Sequence, residues 1–220
     1  APLAATAELL ASLLEAGRSA VAASGAVIDA VALANQGETV LAWDPTTGVP
    51  LSPAIVWQDS RSQEVCDELY GHREWIAART GLVLDPYFSA PKMTWLRRHV
   101  TREGVVTTTD SWLVHQLTGE FVTDVTTASR SLVMDLDSTR WDADLLALFG
   151  LGDERLPRIV ACDEVVGSTS AFGGDVPVAG LIVDQQSALL AEGCVEVGNA
   201  KCTFGTGAFL LANTGREAKR

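Results

Sequence analysis

Apolar positions along the chain follow two different periods. Leu10, Leu13, Leu14 and Val21 recur at helical spacing, which predicts an amphipathic helix over residues 2–22, weakened towards its end by Gly17. The run from Ala26 to Ala34 is apolar and β-branched, and predicts a strand. Thr39–Trp43 and Ala54–Trp57 read as two further strands, separated by the turn-forming Asp44-Pro-Thr-Thr-Gly48. Helices are expected over about 60–70, 73–80 and 89–99. Two more run from Thr109 to Leu117, with Gly119 just past the end, and from Trp141 to Phe149, stopped by Gly150.

The last third carries the clearest pattern. Val176–Val183 is an almost unbroken apolar run, as a buried strand requires, and Asp184 then opens a helix from Gln185 to Ala191. Lys201–Phe204 and Ala208–Ala212 read as strands joined by the glycine turn Gly205-Thr206-Gly207. Helices and strands intermix, with at least one hairpin. This predicts an α/β fold on a mixed sheet rather than an all-parallel barrel.

Composition narrows the class. A chain of 220 residues, 47% hydrophobic and 20% charged, is an ordinary globular sequence and not a disordered or collagenous one. Sixteen basic against 28 acidic residues give a formal charge of −12, which argues against non-specific binding to nucleic acid or to an anionic membrane. An anionic ligand would need a local site of amides or cations. No apolar run reaches the roughly 18 residues of a membrane span, and the first residues lack a basic-then-apolar signal pattern. The expectation is a soluble, cytoplasmic chain with no nucleic-acid or membrane partner. Cys66, Cys162, Cys194 and Cys202 form no CxxC pair and are read as reduced, apolar-packed thiols. His72, His99 and His115 lack metal-ligand spacing and are read as surface or satisfied residues, so no residue is assigned to a metal.

Several residues could carry chemistry. Asp184 stands where a strand ends and a helix starts, the edge at which α/β sheets place ligands. Its carboxylate could take a proton from a hydroxyl, or could simply cap the helix. Gly205-Thr206-Gly207 could cradle a phosphate, although an ordinary hairpin turn is the simpler reading. Asn35-Gln36-Gly37-Glu38 could hydrogen-bond a polyhydroxylated ligand or be a plain loop. Trp57 and Tyr87 could each cover a carbon chain or pack in the core.

The order of these segments resembles that of the FGGY carbohydrate kinases, the glycerol kinases among them. Tyr87-Phe-Ser-Ala-Pro-Lys92-Met-Thr-Trp95-Leu-Arg-Arg-His99 fits the family's first signature. It is accompanied by Ala54-Ile-Val-Trp57-Gln-Asp-Ser-Arg61, Thr109-Asp-Ser-Trp112-Leu and Ala128-Ser-Arg130. Asp184-Gln-Gln-Ser-Ala-Leu189 and Thr203-Phe-Gly-Thr-Gly207 complete the series.

The resemblance implies a ribonuclease H-like, actin-like ATPase domain with a mixed sheet and flanking helices. It implies transfer of the γ-phosphoryl group of ATP, with Mg²⁺, to a hydroxyl of glycerol or a related polyol or sugar. Asp184 would be the general base. Gln36, Glu38, Trp57, Tyr87 and Gln185 would bind the substrate, and Gly205 and Thr206 would contact nucleotide phosphates. Residues 1–220 would be an incomplete first, substrate-binding domain, with the family's N-terminal phosphate and metal loop and its C-terminal nucleotide domain outside the chain. By the same analogy the protein would be a homodimer or homotetramer.

Two departures bear on substrate. Gly37 stands where glycerol kinases usually have arginine, which is expected to leave room for a larger polyol or sugar, and Val183 stands where many relatives have glycine. Alternatives are therefore a kinase for a pentulose or sugar alcohol, or a non-catalytic actin-like scaffold that responds to nucleotide.

Overall fold

The computed structural model describes residues 2–205 and 207–216. An opening helix α1 (Pro2–Ser24) leads to β1 (Val31–Asn35) and β2 (Val40–Trp43). Three helices follow, α2 (Gln63–Glu68), α3 (Arg73–Thr80) and α4 (Ser89–His99), then β3 (Val105–Thr108) and α5 (Thr109–Thr118). The middle contains β4 (Val122–Asp124), α6 (Val125–Ala128), β5 (Met134–Asp135), β6 (Arg140–Trp141) and α7 (Ala143–Leu148). The chain then runs through β7 (Arg158–Val160), β8 (Gly167–Thr169), β9 (Val176–Val183) and α8 (Asp184–Ala191) to the hairpin β10 (Ala200–Phe204) and β11 (Ala208–Ala212).

The pairing is mixed, as the interleaved pattern requires. β1 runs parallel to β9, and β8 runs antiparallel to β9 on its other side. β2 pairs antiparallel with β3, β4 parallel with β7, and β10 antiparallel with β11. All four residues of β2 are buried, and the pleat sends them alternately to two cores. Val40 and Ala42 join Met93, Leu96, Val106 and Phe149, whereas Leu41 and Trp43 join Val105, Trp112, Val178 and Leu181. Close approach at the entrance to β3 depends on a glycine. Gly104 has φ +63°, and a Cβ there would lie 2.2 Å from the Trp43 carbonyl oxygen.

Several sequence expectations are corrected at their edges. The strand expected from Ala26 starts only at Val31, because β9 offers its first partner, Val178, there; Val27 is almost fully exposed. Ala54–Trp57 is no strand. Only Ile55 bridges to Val40, while Leu51 and Ser52 both donate to the Ala42 carbonyl. The helix expected from Trp141 starts at Ala143, since Asp142 caps it by accepting from the amides of Asp144 and Leu145, and Trp141 belongs to β6. Gly119 and Gly150 do follow their helices with positive φ. Cys66 is buried, and desolvation pushes its thiol up to about 12, but Cys202 is exposed rather than packed. His115 packs against Trp43 with the two rings tilted, yet its buried Nδ1 has no partner, so it is not fully satisfied. Among the described residues no helix is long and apolar enough to cross a membrane.

Buried polar groups tie the layers together. Asp110 is fully buried at the start of α5, and its Oδ2 accepts from the Thr123 hydroxyl at 2.6 Å. Desolvation, reinforced by the neighbouring Asp124 charge, raises its carboxyl from near 3.8 to about 6. The folded state therefore holds this proton more tightly than the unfolded state. The stability this provides is complete below pH ~4 and lost as pH rises through ~6. Asp110→Asn is accordingly expected to stabilise the protein at pH 7.5 by up to roughly 2–3 kcal/mol, with the gain fading towards pH 4. Thermal melts of both proteins across that range check the sign. An advantage that grows on acidification would contradict the assignment.

Candidate active site

The parallel pairing of β1 with β9 sets the site. Asn35 and Val183 are register partners at the carboxyl ends of these adjacent strands, so the loop after β1 and the helix after β9 leave the sheet side by side. Gln36–Glu38 and Asp184–Gln185 meet there, at the edge where open α/β sheets place ligands. Opposite them stand Tyr87, from the turn before α4, and Trp57. Two recesses of about 300 Å³ and 60 Å³ share Glu38, Tyr87, Asp184, Gln185 and Phe209 in their walls.

Asp184 is the first residue of α8. Its N-cap is Val183, and no side chain caps the helix, so the capping reading of Asp184 is not borne out. The strand runs straight into the helix, and the carboxylate faces the larger recess instead. Partial desolvation raises its proton affinity, opposed by the Gln185 amide and by the charges of Lys201 and Arg130. Its backbone is held from below. Buried Asp124 accepts from the Thr126 and Thr127 amides and hydroxyls, and Thr126 Oγ1 in turn accepts from the Val183 amide at 3.0 Å.

Glu38 sits in a strained position, with φ +60° and its side chain 6% exposed. Arg130 Nε donates to Glu38 Oε1 at 2.7 Å. Burial raises the Glu38 carboxyl, and the Arg130 guanidinium, Lys92 and the Tyr87 hydroxyl pull it back. Gln36 accepts from the Thr39 hydroxyl at 2.7 Å through Oε1, which fixes the loop. Tyr87 is placed by two devices. Its amide donates to Asp85 Oδ1 at 2.8 Å, and the buried Lys92 ammonium donates to the Tyr87 and Phe88 carbonyls. Desolvation brings Lys92 down to about 8, against the pull of Glu38, and pushes the Tyr87 hydroxyl up to about 12. Trp57 meets Tyr87 and Phe209 edge to face, at 5.6 and 5.9 Å between ring centroids. It is half-buried rather than a core residue.

The structure thus brings Gln36, Glu38, Trp57, Tyr87, Asp184 and Gln185 together. Gly205 is not in these walls. Its amide donates to the Gly207 carbonyl at 3.0 Å, so the hairpin turn closes on itself, and Thr206 lies outside the described residues. Three side chains in or beside the recess had no assigned role in the sequence. Arg130 and Phe209 line it, and buried Lys201 donates to Gln185 Oε1 at 2.6 Å and to the Thr203 hydroxyl at 2.7 Å. Arg130 did fall within a recognised segment, but nothing local in that segment shows that it reaches Glu38.

The arrangement can bind a neutral hydroxylated molecule and take a proton from it. The family model described as the FGGY family of carbohydrate kinases, N-terminal domain, matches residues 4–191. The chain belongs to the FGGY family of carbohydrate kinases.

Among the relatives is a glycerol kinase of Alkalilimnicola ehrlichii, 47% identical over 204 residues, which span 86% of this chain and 41% of that protein. A glycerol kinase of Trichodesmium erythraeum is 44% identical over 211 residues, 90% of this chain and 42% of that one. The crystal structure of Plasmodium falciparum glycerol kinase with ADP superposes with a TM-score of 0.90 at 33% identity, over 96% of this chain and 46% of that one. The chain thus spans less than half the length of the relatives it matches. Its fold is the actin-like, ribonuclease H-like α/β fold shared by FGGY kinases.

The contact between the two departing positions is also resolved. A Cβ built on Gly37 would lie 2.6 Å from Val183 Cγ2. A valine methyl group therefore stands where the first side-chain atom of any other residue at position 37 would lie.

Proposed function

We propose that this chain is the acceptor-binding domain of an ATP-dependent kinase that phosphorylates a hydroxyl of glycerol or of a closely related polyol. The observation that carries this reading is the convergence of Asp184 with Glu38, Tyr87, Trp57 and Gln185 on one recess at the carboxyl ends of β1 and β9. Kinship with the glycerol kinases favours a small acceptor over a pentulose.

In this mechanism Glu38, Tyr87 and Gln185 hydrogen-bond the acceptor hydroxyls, Gln36 holds the loop that carries Glu38, and Trp57 covers the carbon chain. Asp184 accepts the proton of the attacking hydroxyl as the new O–P bond forms and the bond from Pγ to the ADP oxygen breaks. Its raised proton affinity, caused by partial desolvation, suits a group that receives a proton in the step. ATP supplies the phosphoryl group, and Gly205 and Thr206 are the residues of this chain that would contact its phosphates. Among the described residues no three acidic, histidine or cysteine side chains form a cluster that could hold a metal. Glu38 Oε1 is engaged by Arg130 Nε. A Mg²⁺ ion accompanying ATP would supply charge neutralisation at the phosphates. Four unpaired thiols suit a reducing, cytoplasmic compartment.

The test is ADP release by the full-length protein with Mg-ATP and a panel of glycerol, erythritol, ribitol, xylulose, ribulose and gluconate. Glycerol is expected to give the highest kcat/KM. Preference for a five-carbon sugar would overturn the acceptor assignment, and turnover indifferent to every acceptor would favour a scaffold.

A further inference from the structure

We infer that Arg130 is an acceptor-binding residue, which donates from its Nη amines to the same substrate hydroxyl that donates to Glu38; this rests on the kinase reading above. The guanidinium lines the larger recess beside Asp184, Gln185 and Tyr87. Only its Nε is engaged by a carboxylate, at 2.7 Å from Glu38 Oε1. The group lies over the Phe88 ring at 5.0 Å and near the Tyr87 ring at 5.7 Å, so packing as well as the ion pair fixes its plane. It remains 28% exposed, while its partner Glu38 is almost entirely covered.

A guanidinium has five N–H donors in a rigid fork; Nε is taken by Glu38 and the Tyr87 hydroxyl is also within its hydrogen-bonding reach, which leaves further Nη donors to bind a substrate oxygen. Glu38 offers the complementary acceptor. A neutral hydroxyl placed between them is satisfied in both directions, donating to the carboxylate and accepting from the guanidinium. A substrate carboxylate at that point would instead lie against the buried Glu38. The pair therefore reads a hydroxyl rather than an acid group.

The β1 loop cannot supply a second cation here. Gly37 has no side chain, and Val183 Cγ2 occupies the space that one would need. Lys92 is committed to the Tyr87 and Phe88 carbonyls, and Lys201 to Gln185 and Thr203. Arg130 is the cation left to meet the substrate at this wall.

The experiment compares full-length wild type with Arg130→Lys and Arg130→Gln. Initial rates are measured for the best acceptor of the panel and for its deoxy analogues, with glycerol paired to 1,2- and 1,3-propanediol. Thermal melts verify folding of each variant. Arg130→Lys is expected to fold and to raise KM for the acceptor roughly 10- to 100-fold, with KM for ATP nearly unchanged. In wild type one deoxy analogue should lose affinity by a similar factor, and in the variant that loss should largely vanish, because the hydroxyl has already lost its partner. A purely structural role would weaken hydroxyl and deoxy acceptors alike and leave their ratio fixed. Such a fixed ratio, or an unchanged acceptor KM in a folded variant, overturns the inference while leaving the kinase reading intact. Wild type with no acceptor-dependent turnover overturns both.

Discussion

Asp184→Asn is expected to lower acceptor-dependent ADP release by ~10²–10⁴, the usual contribution of a positioned general base. Its melting temperature should stay within a few degrees of wild type. The argument for intact folding is structural, since Asp184 makes no side-chain capping bond and α8 begins directly from β9. The amide keeps the shape and hydrogen-bonding capacity of the side chain but cannot accept the proton of the attacking hydroxyl. KM for the acceptor should move far less than kcat, because Glu38, Tyr87 and Gln185 are untouched. Turnover close to wild type would remove Asp184 from the proton-transfer step.

The largest expected loss of stability comes from Asp124→Ala. Asp124 is wholly buried and accepts from the Thr126 and Thr127 amides at 2.8 and 3.2 Å, and from both threonine hydroxyls. Truncation strands several buried donors and removes the cap of α6, a combined cost of roughly 3–5 kcal/mol. The consequence extends to catalysis. With Asp124 gone the Thr126 hydroxyl can reorient, and the Val183 amide loses the acceptor that fixes the peptide before Asp184. A melt of the variant should show a midpoint drop of many degrees. Asp124→Asn, which keeps one acceptor oxygen, should fall between. An alanine variant as stable as wild type would mean that water replaces the carboxylate, and would remove the proposed support for Asp184.

Much of this fold could be read from local pattern. The run Val176–Val183 becomes β9 with those bounds, the helix after Asp184 is present, and the glycine turn joins β10 to β11. These elements are legible because each is specified by consecutive residues. The strand expected from Ala26 and the one expected at Ala54 fail for the opposite reason, since apolar content alone does not supply a pairing partner. For the candidate site, the six residues assigned to base and acceptor do converge on adjoining recesses, because strand ends and their loops are visible in sequence. What was not visible lies in side-chain partnerships across long separations. Arg130 reaches Glu38 across 92 positions, and Lys201 reaches Gln185 from a separate hairpin. Nothing within a window of neighbours marks either pair. The same holds for Asp184, whose position suggested a cap until β9 was seen to continue unbroken into α8.

Gly37 and Val183 are far apart in sequence, yet a side chain at one and the methyl groups of the other compete for one volume. The order of substitution between them is therefore constrained. A lineage that gained a bulky residue at position 37 first would pass through a crowded and poorly folded state, whereas shrinkage at position 183 opens the route. The valine thus holds position 37 small until position 183 itself has changed, whereas a smaller residue at 183 meets no such clash.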